Sequence, residues 1–367
     1  MMYELDPTEY ERVRPLLRKL MEYNLHLVAI LEGTSKGQLF VDELETPRTV
    51  MVATPVMVYY LGGSEINDAI NRDINQRFPD NRTFYCWCED QWQRKFDIIF
   101  EKRFVRKALR RYYRLQKPRI ENWQARIPSG FSMEYVDKEF IERDLKNMDS
   151  VREWYLPEWP SADLFFERGF GFALVDEKEE IIASWSLADY VSGKRCETGI
   201  RTDWDYRRRG FGTATAAATV EHCVANGFEE IGWHCWSTNV GSIRIAENVG
   251  FELIREYPIY LNHWAAENIS DWTAEEFRAF AEEYERELAE VAPNTGYPYV
   301  VTSKAWALAH EFHSAVKYLH KAIDVGFLKS VDDLKNVWPE LFTYGNHHDR
   351  NEWKELLLRL EASVNSA

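Results

Sequence analysis

The sequence predicts an α+β protein made of two similar halves and a helical tail. Three observations predict it. Strand and helix patterns run through nearly the same order twice; a Pro- and Gly-punctuated stretch, "KPRIENWQARIPSG", separates the two passes; and beyond about residue 268 the spacing becomes helical. The expected division is 1–120, 121–265 and 266–367.

In the first half, residues 8 to 31 carry apolar residues at helical spacing. "GQLFVDELETPRTVMVATPVMVYYLGG" reads as a hairpin turning at "ELETPR" and closed by Gly62 and Gly63. A helix ("EINDAINRDINQRF"), a strand ("TFYCWC"), a second helix ("DQWQRKFDIIFEK") and a basic strand ("RKALRRYYRLQ") follow. The second half begins with another hairpin, "GFALVDEKEEIIASWSLADYV", whose "LVDE" echoes "FVDE" at 40–43. Next come a strand ("CETGIRTDW"), a turn and alanine-rich helix ("DYRRRGFGTATAAATVEHCVANGF"), and a strand ("EEIGWHCWS"). Gly227 stands where a left-handed helix cap is expected. A short helix closed by Gly250 leads into a last strand, "FELIREYPIYL". In the tail, Asp271 is the expected N-cap of "DWTAEEFRAFAEEYEREL", and "AWALAHEFHSAVKYLHKAIDVGF" has small residues and Tyr where two packed helices touch.

The 367 residues are 45% hydrophobic and 14% aromatic, a globular composition rather than a disordered one. "MMYELDPTEYERVRP" has neither the apolar core nor the cleavage site of a secretory signal, and "TVMVATPVMVYYL" is too short to span a bilayer. The five cysteines (Cys86, Cys88, Cys196, Cys223, Cys235) form no CxxC pair, so the reducing cytoplasm is the expected compartment. The net charge of −15 is uneven: +3 over residues 1–120, −10 over 121–265 and −8 over 266–367. Nucleic acid is not an expected partner of the last two thirds, because a phosphate backbone needs a basic face. A cationic small molecule fits an acidic cleft; a surface kept soluble by its charge is the plainer alternative.

Against that acidity, Arg207, Arg208 and Arg209 stand beside Gly210, Phe211 and Gly212 at a helix start. A helix N-terminus presents unpaired N–H groups and a partial positive charge, glycine lets an anion approach the backbone, and arginine pairs with its oxygens. The stretch is not a P-loop, which needs GxxxxGK[ST], nor a dinucleotide fingerprint, which needs a third glycine. A glycine pair at a helix start also serves packing alone.

The turn Arg207-x-x-Gly210-x-Gly212 resembles the R/Q-x-x-G-x-G/A turn of the GNAT-type N-acetyltransferases. The preceding strand "TGIRT" and the later run Asn239-x-x-Ser242…Gly250-Phe251 extend the resemblance over about residues 165 to 262. It implies a GNAT fold, a mixed, mostly antiparallel sheet flanked by helices, in tandem with a degenerate first half that lacks the Gly-rich turn, plus the C-terminal α-helical module. The tandem layout is similar to the subgroup containing zwittermicin-type antibiotic resistance acetyltransferases.

The resemblance implies acetyl-CoA as cosubstrate, its pantetheine arm bonded by the backbone of Ile200 and Thr202. The amides of Arg208 through Thr213 would hold the diphosphate, with Asn239 and Ser242 on the far side of the coenzyme. Ala246 stands where many members place a tyrosine as general acid for the leaving thiolate; Ser237 is a candidate to relay that proton. An attacking amine must first lose a proton, and Glu197, then His234, are the candidate bases. Either can equally be an ordinary strand or core residue.

For the acceptor, "REWYLPEWPSADLFFERGFGF" offers aromatic walls (Trp154, Trp159) among carboxylates (Glu158), which suit a cationic amine through cation–π contact and ion pairing; a packed core is the alternative. "HEFH" is not HExxH, since His310 and His313 are three apart, so no metal is expected. "AVKYLHKAIDVGF" resembles a tetratricopeptide-type helix, and the tail is expected to pack on the enzyme or mediate a homodimer. Three functions stay open: acetylation of a small cationic amine, acetylation of a protein N-terminus or lysine, and a non-catalytic acetyl-CoA sensor. The first half is expected only to shape the cleft or the dimer.

Overall fold

A computed structural model describes residues 1–263, 272–291, 296–338 and 350–364. Its strands in chain order are β1 (Tyr3–Glu4), β2 (Gln38–Val41), β3 (Thr49–Ala53), β4 (Val58–Gly63), β5 (Tyr85–Cys88) and β6 (Arg106–Leu115). The second half supplies β7 (Phe131–Tyr135), β8 (Gly171–Asp176), β9 (Ile181–Ser192), β10 (Arg195–Thr202), β11 (Glu230–Trp236) and β12 (Phe251–Leu261). All join one sheet in the order β1-β2-β3-β4-β5-β12-β6-β11-β10-β9-β8-β7.

That order has a two-fold logic. Each strand of the first half has a counterpart six places later, and exchanging counterparts reverses the order without altering it. The last strands are traded: β6 pairs with β11 of the second half, and β12 lies next to β5 of the first. Three matching letters in the sequence hinted at the repeat; the strand order displays it.

Local chemistry sets several boundaries that the sequence reading drew too coarsely. The expected helix over 8–31 is a 3-10 turn (Pro7–Val13) and two helices (Arg14–Met21 and Leu25–Leu31), interrupted where Asn24 takes an extended conformation. The first hairpin is a three-stranded meander, because Pro55 lies in a second turn closed by Thr54 N–H to Val58 O. Directly after the linker, Phe131–Tyr135 forms a strand on β8. In the tail, Tyr297–Leu308 and Phe312–Asp324 are separated at His310, whose φ is +62°.

The chain forms two compact units. The first (Met1–Ile66, Cys86–Trp92, Ala108–Ile259) holds nearly all of the sheet, with the helix Phe211–Ala225 on it. Its core gathers Trp185, Trp233, Tyr155, Trp159 and Phe165 around the alanines of that helix. The second (Asn67–Tyr85, Gln93–Lys107, Tyr260–Ala367) joins the tail to two excursions of the first half. Phe104 packs among Phe277, Phe280 and Tyr284, and Arg106 Nε donates to Glu287 Oε2 at 2.6 Å. These units cut the chain differently from the division at 120 and 265, because strand exchange merges the halves and the tail's core draws on residues before 108. The helix Ala274–Val291 starts with a reciprocal Thr273–Glu276 box; Asp271 lies outside the described residues. His310 and His313 sit on different elements, with His313 Nδ1 at 2.8 Å from Glu352 Oε1.

Candidate active site

The site starts where two strands part. β10 and β11 pair in parallel for only three positions, Arg195↔Glu230 to Glu197↔Gly232. From there β11 follows β6 out to Trp236, while β10 stays with β9 to Thr202↔Ser184. The β10 edge from Thr198 to Thr202 therefore faces a wedge rather than a neighbouring strand, which leaves backbone groups there open to a ligand.

At the outer end of the wedge stands the alanine-rich helix Phe211–Ala225. Its side chains are small enough to lie against the sheet, and Thr215 and Thr219 satisfy their buried hydroxyls on Phe211 O and Thr215 O. Gly210 caps it with φ +82°, a conformation that favours glycine, and the first helical bond is Ala214 N–H to Gly210 O. The amides just before Ala214 thus point out of the helix end. Gly212 is a close-packing position: a Cβ there would lie 2.9 Å from both Ile245 Cδ1 and Thr202 Oγ1, so only glycine lets the helix start sit against β10 and Ile245. The arginines have distinct settings. Arg207 donates from Nε to Thr202 O at 3.2 Å and stacks on Trp204, Arg209 lies over Tyr206, and Arg208 is exposed.

At the inner end, where the strands separate, carboxylates collect. Glu197 is buried; its Oε1 accepts from Leu25 N–H at 2.9 Å and lies 3.3 Å from His234 Nε2. Burial pushes this carboxyl up, but His234 and the Leu25 amide outweigh it and hold it below the usual range. Asp189 is the extra residue of a bulge in β9, between Ala188↔Thr198 and Tyr190↔Glu197. It accepts from Trp154 Nε1 at 2.6 Å, yet burial, with the charges of Glu197 and Glu158, pushes it well above the ordinary carboxyl value. Both Trp154 and Asp189 crowd Gly199 of β10. Glu158 Oε2 lies 3.1 Å from His26 Nε2. Tyr60 O–H lies 3.0 Å from His26 Nδ1, and Tyr257 O–H 2.7 Å from His234 Nδ1. Burial raises both tyrosines, Tyr257 to about 12, so they remain protonated at neutral pH.

The structure brings Glu197, His234, Glu158 and Trp154 into this inner cluster, while Ile200, Thr202 and Gly212 meet at the wedge's outer part. Trp159 is displaced from its expected role: its ring is fully buried against Phe165, in the core rather than on a ligand wall. Asn239 Oδ1 caps the helix Val240–Val249 by accepting from Ser242 N–H, and Ser242 Oγ accepts from Trp233 Nε1, so both have structural bonds of their own. Ser237 lies at the far end of β11, its N–H on Leu109 O. Ala246 is wholly buried, which makes the missing tyrosine's position a core position. Sequence reasoning missed Asp189, His26 and Tyr60. An aspartate inside the apolar run "SWSLADYV" was the one available signal, since aspartate is disfavoured in strands without a reason.

Comparison with known proteins agrees with this fold. A family model described as GNAT acetyltransferase matches residues 14–260. The chain is 24% identical over 237 residues to the uncharacterized N-acetyltransferase YdfB of Bacillus subtilis (strain 168), an alignment covering 63% of this chain and 88% of that protein. A GCN5-related N-acetyltransferase-like protein from Streptococcus suis 89/1591 shares the fold, with a TM-score of 0.54 and 20% identity over 69% of this chain and 98% of that one.

Proposed function

Since the chain belongs to the GNAT acetyltransferase family, we propose that it moves acetyl from acetyl-CoA to a primary amine of a small cationic molecule, by direct attack in a ternary complex. The carrying observation is the β10–β11 wedge, with a helix N-terminus that no side chain caps at one end and carboxylates at the other. The amides of Arg208 through Thr213 take the diphosphate, with Arg208 and Arg209 beside it. The open edge of β10 at Ile200 and Thr202 takes the pantetheine amides.

The acceptor's ammonium enters among Glu158, Asp189 and Glu197, with the Trp154 ring as an aromatic wall. Asp189 accepts its proton in place of the expected Glu197. A raised carboxyl lies closer to working pH than one held down by His234 and Leu25. The neutral nitrogen attacks the thioester carbonyl, and a β10 N–H stabilises the oxyanion. Collapse breaks the C–S bond; the attacking nitrogen gives its second proton to solvent as the amide forms, and the thiolate leaves as CoA, taking a proton from solvent. The acetylated nitrogen no longer carries a charge, which is how the same reaction would inactivate an amine antibiotic.

Calorimetric titration of acetyl-CoA into the wild type and G212E, each first shown to be folded by its melting curve, tests the turn, because a side chain crowded by Ile245 and Thr202 displaces the helix start. Binding by the wild type alone supports the assignment; equal binding by both removes it. CoA release across a panel of diamines, amino sugars and peptides then separates a small-amine enzyme from a peptide acetyltransferase. Binding with no release from any acceptor leaves a coenzyme-binding protein instead.

A further inference from the structure

Glu197 belongs to a constellation that occurs twice. In one copy Tyr257 O–H meets His234 Nδ1 at 2.7 Å, and His234 Nε2 meets Glu197 at 3.3 Å. In the other, Tyr60 O–H meets His26 Nδ1 at 3.0 Å, and His26 Nε2 meets Glu158 at 3.1 Å. Each imidazole is used at the same nitrogen by the same kind of partner. Each is also stacked on a tyrosine, His234 on Tyr112 at 4.8 Å and His26 on Tyr190 at 4.3 Å. The second copy draws its histidine and tyrosine from the half without a coenzyme turn, and its carboxylate from the half that has one.

We propose that Tyr60 and His26 form a positioning pair that holds Glu158 to receive the acceptor's ammonium, so that the amine site is built by both halves. The inference rests on the acetyl-transfer reading above. Three features of the structure support it. His26 is only 3% exposed and its Nδ1 meets Tyr60 O–H at 3.0 Å, which sets the ring's orientation and leaves Nε2 at 3.1 Å from Glu158 Oε2, close but outside hydrogen-bond geometry. Glu158 has little freedom either, because its carbonyl is bonded by Lys36 N–H at 2.8 Å and Ser35 Oγ at 3.1 Å, both from the first half. Its charge is also felt at Asp189, the group that would take the amine's proton. The helix Leu25–Leu31 thus serves both carboxylates, giving its first N–H to Glu197 and its next side chain to Glu158.

The first half cannot bind coenzyme in the same way. Its counterpart helix, Asp68–Arg77, has its end closed by Asn67, whose Oδ1 accepts from Ala69 N–H and Ile70 N–H. With those donors satisfied internally, the phosphate function is lost there. The neighbouring helix keeps its residues in the acceptor site.

The test is a double-mutant cycle on steady-state kinetics with the best amine from the panel, with acetyl-CoA affinity measured in parallel. H26Q and Y60F are each expected to raise the amine KM by about fivefold to tenfold, the scale of losing one buried polar contact, with kcat changed less than about twofold. Acetyl-CoA Kd should stay unchanged. In an E158Q background H26Q should add less than about twofold, because its route through Glu158 is already gone. Full multiplicativity of H26Q and E158Q, or a parallel loss of kcat and acetyl-CoA affinity, would overturn the proposal. Y60F removes one hydroxyl and keeps the ring, so it decides the matter if H26Q does not fold. A wild type that binds acetyl-CoA but acetylates no amine overturns the enzyme reading, and this inference with it. An active wild type with additive variants overturns only the inference.

Discussion

A single carboxyl, Asp189, connects chemistry and stability in a way that can be measured. Burial, reinforced by Glu197 and Glu158, raises its proton affinity in the folded protein. Above the ordinary carboxyl value of about 4, the unfolded chain has released this proton while the native state still holds it, so stability falls as pH rises through that window. Asparagine at 189 can still accept from Trp154 Nε1, but it carries no ionisable group. D189N is therefore expected to melt at a higher temperature than the wild type, with a gap that widens as pH rises above the ordinary carboxyl value. The same variant should lose nearly all CoA release, because the ammonium keeps its proton. A Tm gap that is flat with pH would show that Asp189 ionises normally in the folded protein. Gain of stability with loss of turnover is the signature of a site held in a costly electrostatic state.

Two elements, β9 and β10, hold that carboxyl in place. The bulge at Asp189 turns its side chain toward Trp154, and Gly199 opposite leaves room for both. A Cβ at 199 would sit 2.6 Å from Trp154 Cζ2 and 2.7 Å from Asp189 Oδ1. G199A should therefore break the indole–carboxylate bond, since the partly exposed Trp154 is the side able to move. The expected result is a kcat lowered by about fivefold to tenfold with acetyl-CoA affinity kept, the scale of losing one buried hydrogen bond; unchanged kcat would show that the Trp154 contact is incidental. At this scale the sequence was readable wherever function imposes a local pattern. Gly210, Gly212 and the alanines of Phe211–Ala225 announced a glycine-capped helix packed close on the sheet because turn, cap and packing all act on adjacent residues. Asp189, His26 and Glu158 were not readable as a group. Their partnership depends on a bulge and on contacts between distant segments, which leave no mark on local spacing. Trp159 was misplaced for the same reason: an aromatic beside carboxylates reads identically whether it lines a cleft or fills a core.

For the whole molecule, the traded strands decide whether either half can exist alone. β12 lies between β5 and β6, both from residues before 121, and β6 lies between β12 and β11. A fragment ending at residue 120 would leave β5 and β6 without the strand that separates them, each with an unpaired backbone edge. A fragment spanning 121–265 would leave β11 uncovered on the side where Gly232↔Arg114 to Trp236↔Arg110 now pair. Exposed strand edges of that length template association with other chains. Each piece expressed alone is expected to aggregate, whereas residues 1–120 and 121–367 produced together should co-purify as a soluble complex that binds acetyl-CoA. The exchange also has a catalytic consequence, because Leu25 and His26 can reach Glu197 and Glu158 only when the halves share one sheet. Coenzyme binding should therefore track soluble reassembly, and amine acetylation should appear in the reassembled complex and in no fragment by itself. A 121–265 fragment that folds as a monomer and turns over amines would show the reverse, that the second half is self-sufficient and the first half an accessory.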